Sequence, residues 1–381
     1  METICSMKSS SCLEIESVTA TIVDVPTRRP LQMAFTAVTQ QSYVIVEVRA
    51  GGWSGFGEAS SIGGPTWGPD CAESVKAVID AYFAPVLLRT DAANLTVARH
   101  TLQRAAIGHM AAKSALETAL CDLKARSLGV SVGELLGGAC RHSIPVAWTL
   151  ASGVAEEDIR AAREQLAARR HKLFKVKIGA GLPRDDVRRV AAIKQGLGDE
   201  ASIRVDLNQA WDEATARRWL PELSAVGVDL VEQPIARQNI EGLRRLRAAG
   251  TVALMADESV NSLDSILSLT ARSCVDVLSL KVVNLGGAAE TLKAAAIAEA
   301  GGLAVYGGTM LDSAIGTSFA LQVFSTLQAL PFGCELIGPE ILADALGDRQ
   351  LEIRDFEIHV PPGPGCGVAP VPEKLERYRR R

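Results

Sequence analysis

Apolar residues follow two different rhythms along this chain, and the change comes at Ser143. Before it, residues 13–58 read as strands: residues 15–25 are rich in β-branched types, and residues 43–48 alternate before the Gly51-Gly52 turn. Residues 72–137 are then dominated by helix formers, most clearly the Ala, Leu and Lys of residues 111–125. Strands first and helices after them predict an α+β domain. Between the two lies a turn-rich stretch, residues 60–69, with Gly63, Gly64, Pro65, Gly68 and Pro69. Loops of this kind carry function when a rigid element anchors them.

After Ser143 short apolar runs alternate with longer amphipathic helices. Strands are expected at residues 144–150, 174–178, 203–207, 228–232, 252–256, 275–281, 303–306 and 334–337. Eight strands in that alternation predict a closed parallel barrel. The expected organisation is a leader at 1–12, an α+β domain at 13–142, a barrel at 143–340 and a C-terminal segment at 341–381. Residues 352–360 have no place in the barrel and are expected to return to the first domain.

Charge sharpens this picture at five positions. Lys177, Asp206, Glu232, Asp257 and Lys281 follow one another at intervals of 29, 26, 25 and 24 residues, each in or just after a strand-like run. That is the period of one strand plus one helix, so all five are expected at one mouth of the barrel. In Phe174-Lys175-Val176-Lys177-Ile178 the side chains alternate. If the apolar set packs on the helix layer, both ammonium groups point into the barrel, where they must meet anions. Three carboxylates with water suit a hard divalent cation, magnesium or manganese, better than zinc. Such an ion places fixed positive charge where an enolate develops, and a lysine beside it can move a proton at the neighbouring carbon. A salt bridge to the carboxylates is the bland alternative for either lysine.

Bulk properties remove other function classes. The chain has 381 residues, 48% hydrophobic and 22% charged, with a formal charge of −4 and no basic stretch beyond Arg379 to Arg381. No nucleic-acid footprint is present. No apolar run approaches the roughly 20 residues that span a bilayer, so no membrane partner is expected. The eight cysteines form no C-x-x-C pair, which reads as reduced, buried thiols in a cytoplasmic protein. His100, His109, His142, His171 and His359 lack metal-ligand spacing and read as capping or surface residues. Gly286-Gly287 and Gly307-Gly308-Thr309 could turn backbone N–H groups toward an anion or simply make tight turns.

The motifs as a set resemble the enolase superfamily, in its muconate lactonizing subgroup. They are Lys175-Val176-Lys177, Arg204-Val205-Asp206-Leu207-Asn208-Gln209, Val231-Glu232-Gln233-Pro234, Met255-Ala256-Asp257-Glu258-Ser259, Ser279-Leu280-Lys281 and Tyr306-Gly307-Gly308-Thr309-Met310-Leu311. The resemblance implies a modified TIM barrel, (β/α)7β, under an N-terminal α+β capping domain. It implies a magnesium or manganese ion held by Asp206, Glu232 and Asp257. Lys177 would be the proton carrier, Lys175 its electrostatic partner and Lys281 the group on the opposite face. Glu335 matches a further active-site carboxylate. Substrate contacts would come from Asn208 and from the loops at 27–38 and 60–67, with Ile62 and Trp67. A homo-oligomer, in some relatives an octamer, is also implied.

The implied reaction is cycloisomerisation of cis,cis-muconate or a chloromuconate to a muconolactone, a step of aromatic catabolism. Gly64-Pro65-Thr66-Trp67-Gly68, Asn284 and the segment 331–339 resemble the chloromuconate branch, whereas Ala59 and Ile62 are closer to plain muconate enzymes. The same barrel could serve a dipeptide or N-acyl amino acid racemase or epimerase, but those resemble Asp-x-Asp where this chain has Cys334-Glu335-Leu336-Ile337. Mandelate-type dehydratases would show His at Lys281. A catalytically silent barrel is the third option, disfavoured because unused buried charge is costly.

Overall fold

The computed structural model describes residues 13–32, 37–66 and 68–381. Cys5, Cys12, Trp67 and the 1–12 leader lie outside the described residues, as does 33–36 of the 27–38 loop. The first sheet is an antiparallel meander of β1 (Ile15–Gln32), β2 (Ala37–Ala50) and β3 (Trp53–Ser61). Helices α1 (Ala72–Val78), α2 (Leu95–Ala105) and α3 (Met110–Leu128) cover it. The sheet and α3 meet almost backbone to backbone, because β3 presents Gly55 and Gly57. A Cβ on Gly57 would stand 1.9 Å from the Ala115 carbonyl, closer than any side chain permits.

The second unit is built on seven parallel strands in sequence order: β5 (Ala147–Leu150), β6 (Leu173–Lys177), β7 (Ser202–Asp206), β8 (Val228–Glu232), β9 (Ala253–Ala256), β10 (Val277–Leu280) and β11 (Ala304–Gly307). Alternation sorts their side chains. Val205, Val231 and Leu280 pack outward on the helices, while Leu230, Met255, Val277 and Tyr306 fill the interior. Charged residues occupy the next inward layer toward the strand ends.

The expected eighth strand at 334–337 is not extended. Only Cys334 pairs, bridging β11 on one side and residue Val146 on the other. Cys334 N donates to Pro145 O at 2.9 Å, Ala147 N to Cys334 O at 2.8 Å and Glu335 N to Gly307 O at 2.9 Å. Closure of the (β/α)7β barrel therefore rests on one residue. Gly333 (φ +71) makes it possible, since a Cβ there would meet the Pro145 carbonyl at 2.2 Å.

The expected first barrel strand is also divided. β4 (Ser143–Pro145) leaves the barrel and pairs with the C-terminal hairpin of β12 (Ile353–Arg354) and β13 (Glu357–His359). The final helix (Pro372–Tyr378) turns the other way, and Arg380 N donates to Ile22 O on β1. His171 is fully buried, with Nδ1 3.0 Å from Val146 O and its ring against Trp148, so it is a core residue and not a capping or surface one. The described cysteines are free, but Cys140 is exposed while Cys121, Cys274, Cys334 and Cys366 are buried. Among the described residues no helix is long and apolar enough to cross a membrane.

Candidate active site

The meander sits over the strand ends of the barrel, held by buried polar contacts. Tyr43 Oη donates to Leu311 O at 2.7 Å and Gln41 Nε2 to Met310 O at 2.9 Å. Glu58 accepts from Ser313 N at 2.8 Å and from Gly316 N at 3.4 Å, while Ser60 Oγ donates to Asp312 at 2.5 Å. Burial and the neighbouring Asp312 push the Glu58 carboxyl up to about 8. From the other side Glu117 accepts from Ala288 N and Ala289 N, at the start of the helix after β10. These bonds fix the turn after β3, and with it Ile62, above the barrel mouth.

Under that roof the charged residues of successive strands converge. Lys175 Nζ lies 3.2 Å from Glu232 Oε2 and 3.5 Å from Asp206 Oδ2, and also contacts Glu335. Lys177 Nζ lies 2.5 Å from Asp206 Oδ2 and 3.0 Å from Asn208 Oδ1. Across the cavity Lys281 Nζ is 2.7 Å from Asp257 Oδ1. A small chamber of about 30 Å³ is lined by Lys175, Lys177, Asp206, Asp257, Lys281 and Glu335, with Ile62 and Asn208 at its edge. Trp67 cannot be placed, lying outside the described residues.

Burial sets the electrostatics of this cluster. It opposes charge on Lys175 and Lys281, yet the carboxylates facing them outweigh it and hold both ammonium groups above the usual lysine range. Burial likewise works against Asp206, but Lys177 and Lys175 bring its carboxyl down to about 2. Glu232 moves the opposite way: burial first, then the Asp206 charge, raise it well above the carboxylate range. Glu258, a motif residue to which the sequence reading assigns no role, accepts from Asn208 Nδ2 at 3.3 Å and so joins Lys177 through one amide. Burial and Asp257 push Glu258 up to about 8. Its partner Asn208 and its neighbour Gln233 both hold positive φ, 42° and 35°, as the chain turns sharply off β7 and β8.

Whether these residues fit a divalent ion can be judged from the donors. Asp206, Glu232 and Asp257 are buried, hard oxygen ligands on adjacent strands, and Glu232 Oε1 is buried with no hydrogen-bond partner. Among the described residues no three acidic, His or Cys groups stand at coordinating distance. Lys175 and Lys281 hold the oxygens that would turn inward. The donor chemistry fits such an ion once those side chains rotate away from the ammonium groups.

Known proteins resemble this chain in both sequence and fold. Residues 17–137 match the mandelate racemase/muconate lactonizing enzyme N-terminal domain, and residues 157–374 match the enolase C-terminal domain-like family. A chloromuconate cycloisomerase of Pseudomonas putida is 54% identical over 97% of this chain and 100% of its own length. Muconate cycloisomerase 1 of the same species is 44% identical over 96% of this chain and 99% of its own. The crystal structure of muconate lactonizing enzyme from Pseudomonas fluorescens complexed with muconolactone superposes with a TM-score of 0.95, at 43% identity, over 97% of this chain and all of that one. With both domains matched in order and close relatives spanned end to end, this chain belongs to the mandelate racemase/muconate lactonizing enzyme family, of enolase-like fold.

Proposed function

We propose that this protein is a cycloisomerase acting on cis,cis-muconate or chloromuconates, converting them to muconolactones. The observation that carries the reading is the pair of lysines, Lys177 and Lys281, on opposite sides of one small chamber floored by carboxylates. Full-length identity of 54% to a chloromuconate cycloisomerase supports the same choice. Enzymes of this family generally use a divalent metal. Here Asp206, Glu232 and Asp257 would hold magnesium or manganese. When bound, the ion supplies fixed positive charge beside the carboxylate into which negative charge moves.

The protein's own groups do the rest. One substrate carboxylate oxygen forms a C–O bond to the conjugated diene, and the electron pair displaced ends on the carbon next to the other carboxylate. Lys177 Nζ carries the proton that forms the new C–H bond there, and solvent replaces it. The product therefore has one negative charge fewer than the dianionic substrate. Lys175, held by Glu232 and Glu335, keeps positive charge beside Lys177. Lys281 stands on the opposite face, anchored by Asp257. Asn208 orients Lys177 through Oδ1, and Ile62 closes the chamber against water.

The partner in this reading is the small dicarboxylate alone. The same reading makes the enzyme cytoplasmic, which the free cysteines among the described residues support, and a homo-oligomer, which the family resemblance supports. Metal-dependent loss of the ultraviolet absorbance of cis,cis-muconate tests the activity. No change with muconate, 2-chloromuconate or 3-chloromuconate would refute it, and deuterium exchange into a dipeptide would favour epimerisation instead. Comparing the three rates sets the substrate preference.

A further inference from the structure

The chamber between the lysines opens into a larger one of about 180 Å³, and Ile62, Asp257 and Lys281 line both. The outer chamber is walled by the turn after β3, the start of α3 and the loops after β8, β9 and β10. Its charged groups are mostly committed. Lys281 is held by Asp257, and Asp70 accepts from Ala111 N and lies 3.8 Å from His109 Nδ1. Arg237 differs. Among the described residues its guanidinium has no hydrogen bond or ion pair, although it is exposed and lines the chamber.

Its backbone, in contrast, is tied down on both sides. Arg237 N donates to Gln209 Oε1 at 2.9 Å, and Ser259 Oγ donates to Arg237 O at 3.2 Å. Gln209 and Ser259 belong to the turns that follow Asp206 and Asp257, and Ser259 N in turn donates to Gln233 Oε1. The loop is thus built from the site outward, with a free cation on its tip. Deeper in, three ammonium groups face four carboxylates: Lys175, Lys177 and Lys281 against Asp206, Glu232, Asp257 and Glu335. Those side chains carry no positive surplus of their own, so the pull on a dianion rests on the divalent ion they would hold and on any cation at the rim.

We propose that Arg237 is a capture residue: its guanidinium takes one carboxylate of an incoming dicarboxylate at the rim, and releases it as the molecule sinks between the lysines. Release matters, because in the cycloisomerase reading, on which this inference rests for its substrate, one carboxylate must stay free to attack carbon. Arg237 should therefore act on encounter and not on the bond-making step.

The test compares the wild-type enzyme with Arg237→Gln and Arg237→Lys across ionic strength. Arg237→Gln should lose about fivefold in kcat/KM on muconate at low salt, with kcat retained and the loss fading toward about 0.5 M salt, as expected of a rim charge. Arg237→Lys should recover most of it. Equal losses in kcat and kcat/KM, or a loss that salt does not change, would overturn the inference. Stopped-flow association of adipate, a saturated six-carbon dicarboxylate, and of hexanoate, read by tryptophan fluorescence, separates this from the activity itself. If wild type fails to turn over muconate, yet Arg237→Gln slows adipate association more than hexanoate association in a salt-dependent way, capture stands and the cycloisomerase reading falls. If both associate with Arg237→Gln at the wild-type rates, capture falls whatever the turnover.

Discussion

Glu58 gives the clearest test of how the roof is fastened to the barrel. Its carboxyl is fully enclosed at the start of the helix after β11, beside Asp312, and ionises at about 8 in place of 4.5. The folded chain therefore holds one proton more than the unfolded chain between these two values. Stability from this group is complete below about pH 4.5 and is lost as pH rises to about 8. Each pH unit in that window removes about 1.4 kcal/mol, or on the order of 5 kcal/mol across it. Glu58→Gln keeps an acceptor for Ser313 N, turns its amide NH2 toward Gly316 N, and cannot ionise. At pH 5 the variant should be slightly less stable than wild type, through imperfect hydrogen bonds, by about 1 kcal/mol. By pH 8.5 the order should reverse. Urea unfolding at half-unit pH steps, monitored by tryptophan fluorescence, reads the difference directly. Parallel stability profiles for the two proteins from pH 5 to 8.5 would refute the assignment of a buried, protonated Glu58.

Four further outcomes are expected. Lys177→Ala should reduce kcat on muconate by about 10³-fold or more while leaving metal binding by calorimetry largely intact; near wild-type activity would move the proton to Lys281. Asp206→Asn should weaken magnesium or manganese binding at least tenfold in the same titration, since it removes one charged ligand. Gly57→Ala should destabilise by about 3 kcal/mol in urea unfolding, because its Cβ would lie 1.9 Å from the Ala115 carbonyl. Ile62→Val, which removes one methylene at the edge of the chamber, should cost about 1 kcal/mol of stability and raise the ratio of chloromuconate to muconate kcat/KM severalfold.

Several features of the site escaped the sequence for identifiable reasons. Glu258 follows a ligand-like Asp257 as one more polar residue near a strand end; only its contact with Asn208, 50 residues earlier, links it to Lys177. Glu58 and Asp312 are 254 positions apart in a chain whose local patterns say nothing of their meeting. Arg237 looks like any loop arginine until the cavity wall is seen. His171 has no metal-ligand spacing and its local sequence predicts a surface or cap residue, whereas packing against Trp148 buries it. The residues 334–337 have strand composition, yet one bridging residue suffices because the flanking strands already curl to meet it.

What the sequence alone determined is everything governed by short periods. Alternation in 174–178 put Lys175 and Lys177 on the inner face, and the near-constant spacing of Lys177, Asp206, Glu232, Asp257 and Lys281 put one charged group at each successive strand end. Motifs of that specificity were enough to place the family. Tertiary structure alone decided which amine holds which carboxylate, how far burial drags Glu58 and Glu232 from their ordinary ionisation, and where the barrel closes. Those depend on distances and desolvation between groups from distant segments, and such quantities exist only once the chain has brought its atoms together.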